Sequence, residues 1–254
     1  MKYFVNKNSI VREIWGKADT VLFIFAGASA EFALNKAVDW LYFTGRLPSD
    51  PLGRLFSTVS YARDIIFAER DAALSAIDKI TAIHQGVEQA RGSKIPDWAY
   101  RDVLFMLVDY SIRSYELLER RLKEPEKQEL FSVFYEMGSR MQIADLPTTY
   151  GQWLGMRKSH LKEHLAFSDC TADLYRQYRK HLGLLRYLLL RQVQILLVPE
   201  RVNKLLSLGR FPLLLPAIGI YKLSRKLAIE GFLKEAILPL KYKKEIKELD
   251  MHLV

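Results

Sequence analysis

The sequence contains one cysteine, and that scarcity excludes several kinds of site. Cys170 by itself cannot form an intramolecular disulfide, nor can it supply the thiolate ligands of a structural zinc or iron–sulfur centre. Such a chain suits a reducing compartment, although a disulfide-free secreted protein has the same composition. Also missing are a Gly-rich phosphate loop, a G-x-S-x-G elbow and a paired acidic cluster on an apolar background. These absences argue against nucleotide-dependent and serine-hydrolase chemistry.

Long hydrophobic runs are lacking as well. The two most apolar stretches are VLFIFAGASA at 21–30 and FPLLLPAIGIY at 211–221, and both are too short, because a spanning helix needs about 20 apolar residues. The first resembles the core of a signal peptide, but it comes late and follows the acidic Glu13 and Asp19. We predict a cytoplasmic protein without a membrane-spanning helix, and we leave peripheral contact with a membrane open.

The excess positive charge is confined to the last two fifths of the chain. The formal net charge is +9; residues 1–156 hold 19 basic and 20 acidic residues, whereas residues 157–254 hold 19 and 9. This asymmetry predicts a basic face for a membrane surface, a phosphate or an acidic partner, with a merely solvated surface as the alternative. The segment RQYRKHLGLLRYLLLR at 176–191 is rich in leucine, which favours a packed amphipathic helix over nucleic-acid binding. It is interpreted either as a core helix whose arginines extend to solvent or as a helix attached to a membrane face.

Helical periodicity runs through almost the whole chain, and strand signals are nearly absent. Pro51 after Asp50 marks one helix start, Thr149 marks another, and Gly92 marks a helix end. No repeat, low-complexity run or flexible linker divides the sequence. We predict one all-α domain over residues 1–240 and a charged tail at 241–254. The expected helices span residues 9–17, 20–43, 51–67, 69–90, 97–123, 126–140, 149–165, 171–196, 199–208, 215–229 and 231–237.

His84 is placed unusually for a histidine. On a helix of 3.6 residues per turn it shares one apolar band with Ala73, Ile77, Ile80 and Val87, so the imidazole should point inward. One interpretation is a core histidine whose ring nitrogens are satisfied by a backbone carbonyl or a side chain. The other is the single axial ligand of a haem iron, which needs one neutral imidazole in an apolar slot.

A polar helix face is expected on DPLGRLFSTVSYARD, residues 50–64. Arg54, Thr58 and Tyr61 recur at helical spacing, so a guanidinium and two hydroxyl groups share one side. On the wall of a pocket they could donate hydrogen bonds to dioxygen or to an oxygenated product. An ordinary polar helix surface is the alternative, and the spacing does not separate the two.

The stretch HLKEH at 160–164 matches the H-x-x-E-H pattern of one class of zinc protease. His160 and His164 lie four residues apart, so both imidazoles share one helix face. A third ligand has to come from far away, and the neighbouring Lys158 and Lys162 disfavour a divalent cation. We therefore interpret the segment as a basic helix that faces solvent or a haem propionate.

Five stretches in a fixed order carry a family resemblance. They are FAGASAEFALNKAV, DPLGRLFSTVSYARD, AIHQGV, WAYRDVLFMLVDY and FYEMGSRMQIADLPTTYGQWLGMR. Together they resemble the rubber-oxygenase family, which groups the latex-clearing proteins, the fungal mycophenolic-acid-pathway oxygenase and many uncharacterised bacterial members. The likeness covers roughly residues 12–225.

The resemblance implies an all-α, globin-like domain that holds haem b, with His84 as the axial iron ligand. Arg54 and Thr58 correspond to the family's distal pair, and they would stabilise the negative charge that develops on oxygen. Members with an assigned function use dioxygen to cleave an isoprenoid double bond, leaving carbonyl products. Latex-clearing members have a lysine between the arginine and the threonine; Ser57 stands there in this chain, which predicts an open or water-occupied sixth iron position.

The leading hypothesis is therefore a haem b-dependent oxygenase acting with dioxygen on a hydrophobic, isoprenoid-like unsaturated substrate. A haem-free helical protein that binds lipid or docks on a membrane is the second hypothesis, with His84 as a core residue. A haem-binding sensor without turnover is the third. The candidates for binding the haem propionates are Arg91, Lys94, Arg157 and His160, and Tyr61 is a weaker candidate for the substrate channel.

Overall fold

The computed structural model describes residues 2–45 and 49–226; within its helices the side chains at positions 41, 51, 52, 54–56 and 223–226 are not described. This part of the chain forms eleven helices and no β-strand, which confirms the predicted all-α single domain. The predicted helix at 231–237, the domain boundary at 240 and the tail at 241–254 lie outside the described residues. The helices are α1 Ile10–Trp15, α2 Ala18–Leu34, α3 Val38–Phe43, α4 Pro51–Phe67, α5 Arg70–Arg91, α6 Asp97–Leu118, α7 Glu124–Arg140, α8 Tyr150–Glu163, α9 Asp169–Leu197, α10 Glu200–Leu206 and α11 Leu215–Lys226.

The predicted helix over 20–43 is in fact two helices, α2 and α3. Asn35 ends α2 in an extended conformation, and its Oδ1 accepts a hydrogen bond of 2.8 Å from the backbone N–H of Ala37. An asparagine side chain that bonds the backbone two residues ahead competes with helix continuation. At the next helix the prediction is confirmed, because α4 starts at Pro51 and Asp50 caps it by accepting from the backbone N–H of Gly53.

Helix α2 runs through the centre of the domain, with α6 and α9 packed along it. Most of its residues are buried, including the acidic Glu31, which is fully inaccessible. At its start the indole of Trp15 packs against Phe25 and Phe134, with ring centroids 6.3 and 5.9 Å away. Because most of α2 is buried, a polar group on its buried faces must find its partners inside the protein.

The longest helix, α9, bends at Gly183, where φ is +71°. A residue with a Cβ is strained in this left-handed region, so glycine is the residue that permits the bend. After the bend, Leu184, Leu185 and Leu188 are exposed to solvent. Neither α9 nor another helix of the described chain is both long and apolar enough to cross a bilayer.

Candidate functional site

His84 lies on α5, on the helix face that the periodicity predicts. Burial along this face is uneven: Ala73 and Ile77 are in the core, whereas Ile80 and His84 are only half-buried. Beside them, Ile83 leaves 42% of its surface exposed. The predicted inward orientation therefore describes the first half of α5 better than the second half, where the apolar face is only partly covered by described residues.

One hydrogen bond of His84 requires a proton on Nδ1 of its ring. Its Nδ1 lies 2.9 Å from the carbonyl oxygen of Ile80, and a carbonyl can only accept, so Nδ1–H is the donor. In that tautomer the lone pair is on Nε2, which is the nitrogen that a metal-ligating histidine offers when its other nitrogen is held by a carbonyl. The ring also meets Tyr100 of α6 edge-on, with centroids 5.2 Å apart. The same hydrogen bond would satisfy an ordinary core histidine.

Arg91 lies two helical turns beyond His84 on the same face of α5, about 10 Å along the axis. One of its terminal nitrogens donates to Asp39 at 2.7 Å, and the guanidinium stacks on Trp40 at 4.0 Å. The other terminal nitrogen, Nη1, is buried and has no hydrogen-bond partner among the described residues. A buried guanidinium N–H that lacks an acceptor would be satisfied by an anionic group bound beside it.

The predicted distal residues lie on α4, which packs along α5. Thr58 and its neighbour Ser57 are half-buried, as is Tyr61. The side chain of Arg54 lies outside the described part of the chain. The distal roles of Arg54 and Thr58, like the axial role of His84, remain predictions.

A separate group of buried charges lies where α2, α6 and α8 meet. Arg157 of α8 forms a two-pronged ion pair with Glu31, and its Nη2 is 2.6 Å from Glu31 Oε2. The same guanidinium donates to Asp109 from Nε at 3.0 Å and from Nη2 at 2.8 Å. The hydroxyl of Tyr110 donates to Glu31 at 2.9 Å. All of these groups are buried.

The pKa values within this network reflect the opposition of burial and charge. Burial alone would raise the pKa of Glu31, but the charge and hydrogen bonds of Arg157, together with His160, hold it at about 2. Burial would lower the pKa of Arg157, and the carboxylates of Glu31 and Asp109 outweigh that effect and raise it. Burial and the nearby Glu31 raise the pKa of Tyr110, which stays protonated as a donor. The ionised Glu31 therefore faces the guanidinium of Arg157 inside the protein.

Asp102 of α6 joins this network to His160 of α8 and to His164, the residue that follows the end of α8. Oxygen Oδ1 of Asp102 lies 2.6 Å from Nδ1 of His160, and Oδ2 lies 2.8 Å from Nδ1 of His164. The two Nδ1 atoms are 3.4 Å apart, and Nε2 of His160 is 2.8 Å from Oε1 of Glu31. Burial would lower the pKa of His160, but its hydrogen bonds to Asp102 and Glu31 prevail and raise it. The side chains of Asp102, His160 and His164 together offer a compact set of atoms that could bind a metal ion.

This cluster borders a cavity of about 780 Å³ that opens to solvent between α6 and α8. Asp102 and His160 are buried at its base, and His164 is the more accessible, with 26% of its side chain exposed. The ring of Trp98 lies against His164, with centroids 4.5 Å apart. Glu163 also lines the cavity. A small molecule or an ion can therefore reach the cluster from the side of His164.

The match to a family model decides the identity of the fold. Residues 14–216 match the family described as ER-bound oxygenase mpaB/B'/Rubber oxygenase, catalytic domain. The chain belongs to this family. A comparison with curated proteins gives no significant match. Membership in the mpaB/rubber oxygenase family confirms the resemblance drawn from the five sequence stretches, and it supports oxygenase chemistry.

Within this family fold, two interpretations of the sequence need correction. His160 does not face solvent, because it is 2% exposed and bonded to Glu31 and Asp102. Arg157 and His160 also have their donors committed to buried carboxylates, so neither is available to a haem propionate. The spacing of H-x-x-E-H did indicate that both histidines share a face. The third partner, Asp102, could not be found from sequence because it lies on another helix 62 residues from His164.

Proposed function

We propose that the chain is a haem b-dependent oxygenase that uses dioxygen on a hydrophobic, isoprenoid-like unsaturated substrate, with His84 as the axial iron ligand. The observation that carries the proposal is the hydrogen bond from His84 Nδ1 to the carbonyl of Ile80. It selects the tautomer whose Nε2 offers a lone pair, as axial ligation requires. Family membership supports the reaction class.

The residues around His84 fit a haem. Ile83 and the half-buried Ile80 and Val87 provide an apolar surface beside the imidazole, and Nη1 of Arg91 is a buried donor suited to a propionate. When bound, the haem supplies the redox chemistry, while the protein positions it, excludes water and orients the substrate. In this proposal Arg54 and Thr58 donate hydrogen bonds on the distal side, where charge develops on oxygen.

We expect the purified chain, expressed with a supply of haem, to show a Soret band that is lost or strongly shifted in His84→Ala. Removal of the axial imidazole leaves the iron without its protein ligand. External imidazole added to His84→Gly should restore a band close to that of the unmodified chain. His181→Ala, which alters a histidine on α9, is the matched control and should leave the spectrum unchanged. An unaltered spectrum in His84→Ala would contradict the ligand assignment, and the absence of any Soret band would contradict haem binding.

Oxygen consumption separates an oxygenase from a haem-binding sensor. The haem-loaded chain should consume dioxygen when an isoprenoid with an unsaturated bond is added, and the carbonyl products should be detectable by mass spectrometry. Saturated analogues of the same length should give no uptake. A haem-loaded chain that consumes no dioxygen with any unsaturated isoprenoid would favour the sensor.

A second function, peripheral docking on an anionic membrane, is favoured by exposed apolar side chains in the basic part of the chain. Leu185, Phe211 and Leu213 are 78%, 80% and 75% exposed. The backbone N–H of Leu213 bonds Gln192 at 2.8 Å, so the segment after α10 lies against the second half of α9. Exposed leucine and phenylalanine next to lysine and arginine are typical of helices that lie in a membrane interface. This docking is compatible with an oxygenase of hydrophobic substrates.

We expect the chain to bind vesicles that contain phosphatidylserine and to bind neutral vesicles much more weakly. Replacing Leu185, Phe211 and Leu213 together by serine should reduce the bound fraction at least tenfold, since about 0.8 kcal/mol is lost for each CH₂ group that no longer inserts. Leu154→Ser, at a side chain 50% exposed on α8, is the control and should have no effect. Cosedimentation with vesicles measures the bound fraction of the unmodified chain and of each variant. Equal binding by the triple variant and the unmodified chain would exclude this surface.

A further inference from the structure

Asp102 is a buried carboxylate that no lysine or arginine contacts within the described part of the chain. Of the three buried acids in this region, Glu31 is paired with Arg157, and Asp109 is paired with Arg157 and Arg113. Among the described residues, Asp102 bonds only two imidazoles and the amide of Asn35. A buried carboxylate needs a compensating positive charge. That charge is either a proton held by the imidazoles or a metal ion.

The geometry favours an ion. Nδ1 of His160 and Nδ1 of His164 face the same carboxylate and lie 3.4 Å apart. An ion held about 2.1 Å from each nitrogen would subtend an angle of about 110° between them, which is the tetrahedral value for Zn²⁺. The carboxylate oxygens lie 2.6 and 2.8 Å from these nitrogens. A tetrahedral ion would place a bound oxygen about 3.4 Å from each nitrogen, so Asp102 has to move outward by about 0.6–0.8 Å to reach coordination distance.

The surroundings of the ligands also match those of metal sites. Glu31 accepts from Nε2 of His160 at 2.8 Å, which is the carboxylate–histidine arrangement that orients a ligating imidazole and turns its other nitrogen to the ion. Asn35 donates to Oδ2 of Asp102 at 3.2 Å and fixes the carboxylate. Lys158 and Lys162, which argued against a cation from sequence, are exposed and do not enter the cluster.

We propose that Asp102, His160 and His164 bind one divalent first-row transition-metal ion, Zn²⁺ or Fe²⁺, with its remaining coordination positions open to the 780 Å³ cavity. Two histidines and one carboxylate with open positions are the donor set of catalytic zinc sites and of non-haem iron sites. Glu163, at the fourth position of the H-x-x-E-H stretch, lines the same cavity and is placed to exchange a proton with a water bound there. This site is separate from His84. Tyr100 of α6 contacts His84, and Asp102, two residues later, projects from a different side of the same helix.

The test is metal binding by the full chain, prepared without haem and stripped with a chelator. Co²⁺, as a spectroscopic substitute for Zn²⁺, and Fe²⁺ under anaerobic conditions are titrated separately and followed by visible absorption and calorimetry. We expect one equivalent to bind, and visible Co²⁺ bands typical of imidazole ligands in a tetrahedral site. His164→Gln should weaken binding at least about 100-fold, because it removes the accessible ligand. His181→Gln and His84→Ala are matched controls and should bind as the unmodified chain does.

Failure to bind Co²⁺, Zn²⁺ and Fe²⁺ at millimolar concentrations would overturn the proposal and leave a proton-sharing network. Equal affinity in His164→Gln would overturn it as well. Should that variant not fold, the unmodified chain still decides: on addition of Zn²⁺, the ¹⁵N resonances of two histidine Nδ1 atoms should shift together at one equivalent. No such shift would count against the site. Because the measurement uses haem-free protein, its outcome is independent of the haem proposal.

Discussion

Arg157→Met is expected to lower the free energy of unfolding by about 3–5 kcal/mol, because it leaves two buried carboxylates without their shared cation. Glu31 is fully buried, and Arg157 supplies the two-pronged partner for it as well as two hydrogen bonds to Asp109. Methionine preserves much of the side-chain volume, so packing is a minor part of the loss. Chemical denaturation followed by circular dichroism measures the change.

The matched control is Arg70→Met, which breaks the ion pair between α5 and α7. Arg70 and Glu136 are 2.5 Å apart, but each leaves more than a third of its side chain exposed. Solvent screens such pairs, so the expected loss is within about 1 kcal/mol. If the two variants lost equal stability, the buried network would have no special role in holding α2 to α8.

A double-mutant cycle separates the pair from its surroundings. Glu31→Gln alone should also destabilise, because it leaves Arg157 with a single buried carboxylate partner. The double variant Glu31→Gln with Arg157→Met should lose less than the sum of the two, since neither charge is then left facing an empty position. Strict additivity would indicate that the two residues do not stabilise each other.

The helices and their inward faces follow from local information. The start of α4 at Pro51, the end of α5 at Gly92 and the buried positions Ala73 and Ile77 were all predicted, because caps and apolar periodicity depend on residues within two turns. The division of the segment 20–43 was missed, because a single asparagine inside an apolar stretch gives no periodic signal.

The buried network could not be predicted in the same way. Glu31 stands within the run FAGASAEFAL, and nothing near it indicates how its charge is compensated. Its partner Arg157 is 126 residues away. For the same reason the shared face of His160 and His164 could be predicted from their spacing, whereas the carboxylate opposite them could not. Local periodicity identifies which residues face inward, and only the packing of α2, α6 and α8 determines what they meet.

Gly27→Ala is expected to lower the free energy of unfolding by about 2–3 kcal/mol through overpacking. A Cβ at this position would lie 2.3 Å from Cδ1 and 2.5 Å from Cε1 of the Tyr110 ring, far inside contact distance. The ring cannot move aside, because Tyr110 is fully buried and its hydroxyl is bonded to Glu31. Helix α2 can therefore approach α6 this closely only with a glycine at position 27.

Gly86→Ala is the matched control, since Gly86 is also helical but a Cβ there meets nothing within 4 Å. It should raise the free energy of unfolding by about 0.5–1 kcal/mol, because alanine loses less backbone entropy than glycine in a helix. Replacing Tyr110 by leucine in the Gly27→Ala background relieves the contact, so the double variant should be more stable than additivity predicts. A Gly27→Ala variant as stable as Gly86→Ala would show that α2 and α6 can move apart without loss of stability. In that case the close approach of the two helices would not be what holds Glu31 between Tyr110 and Arg157.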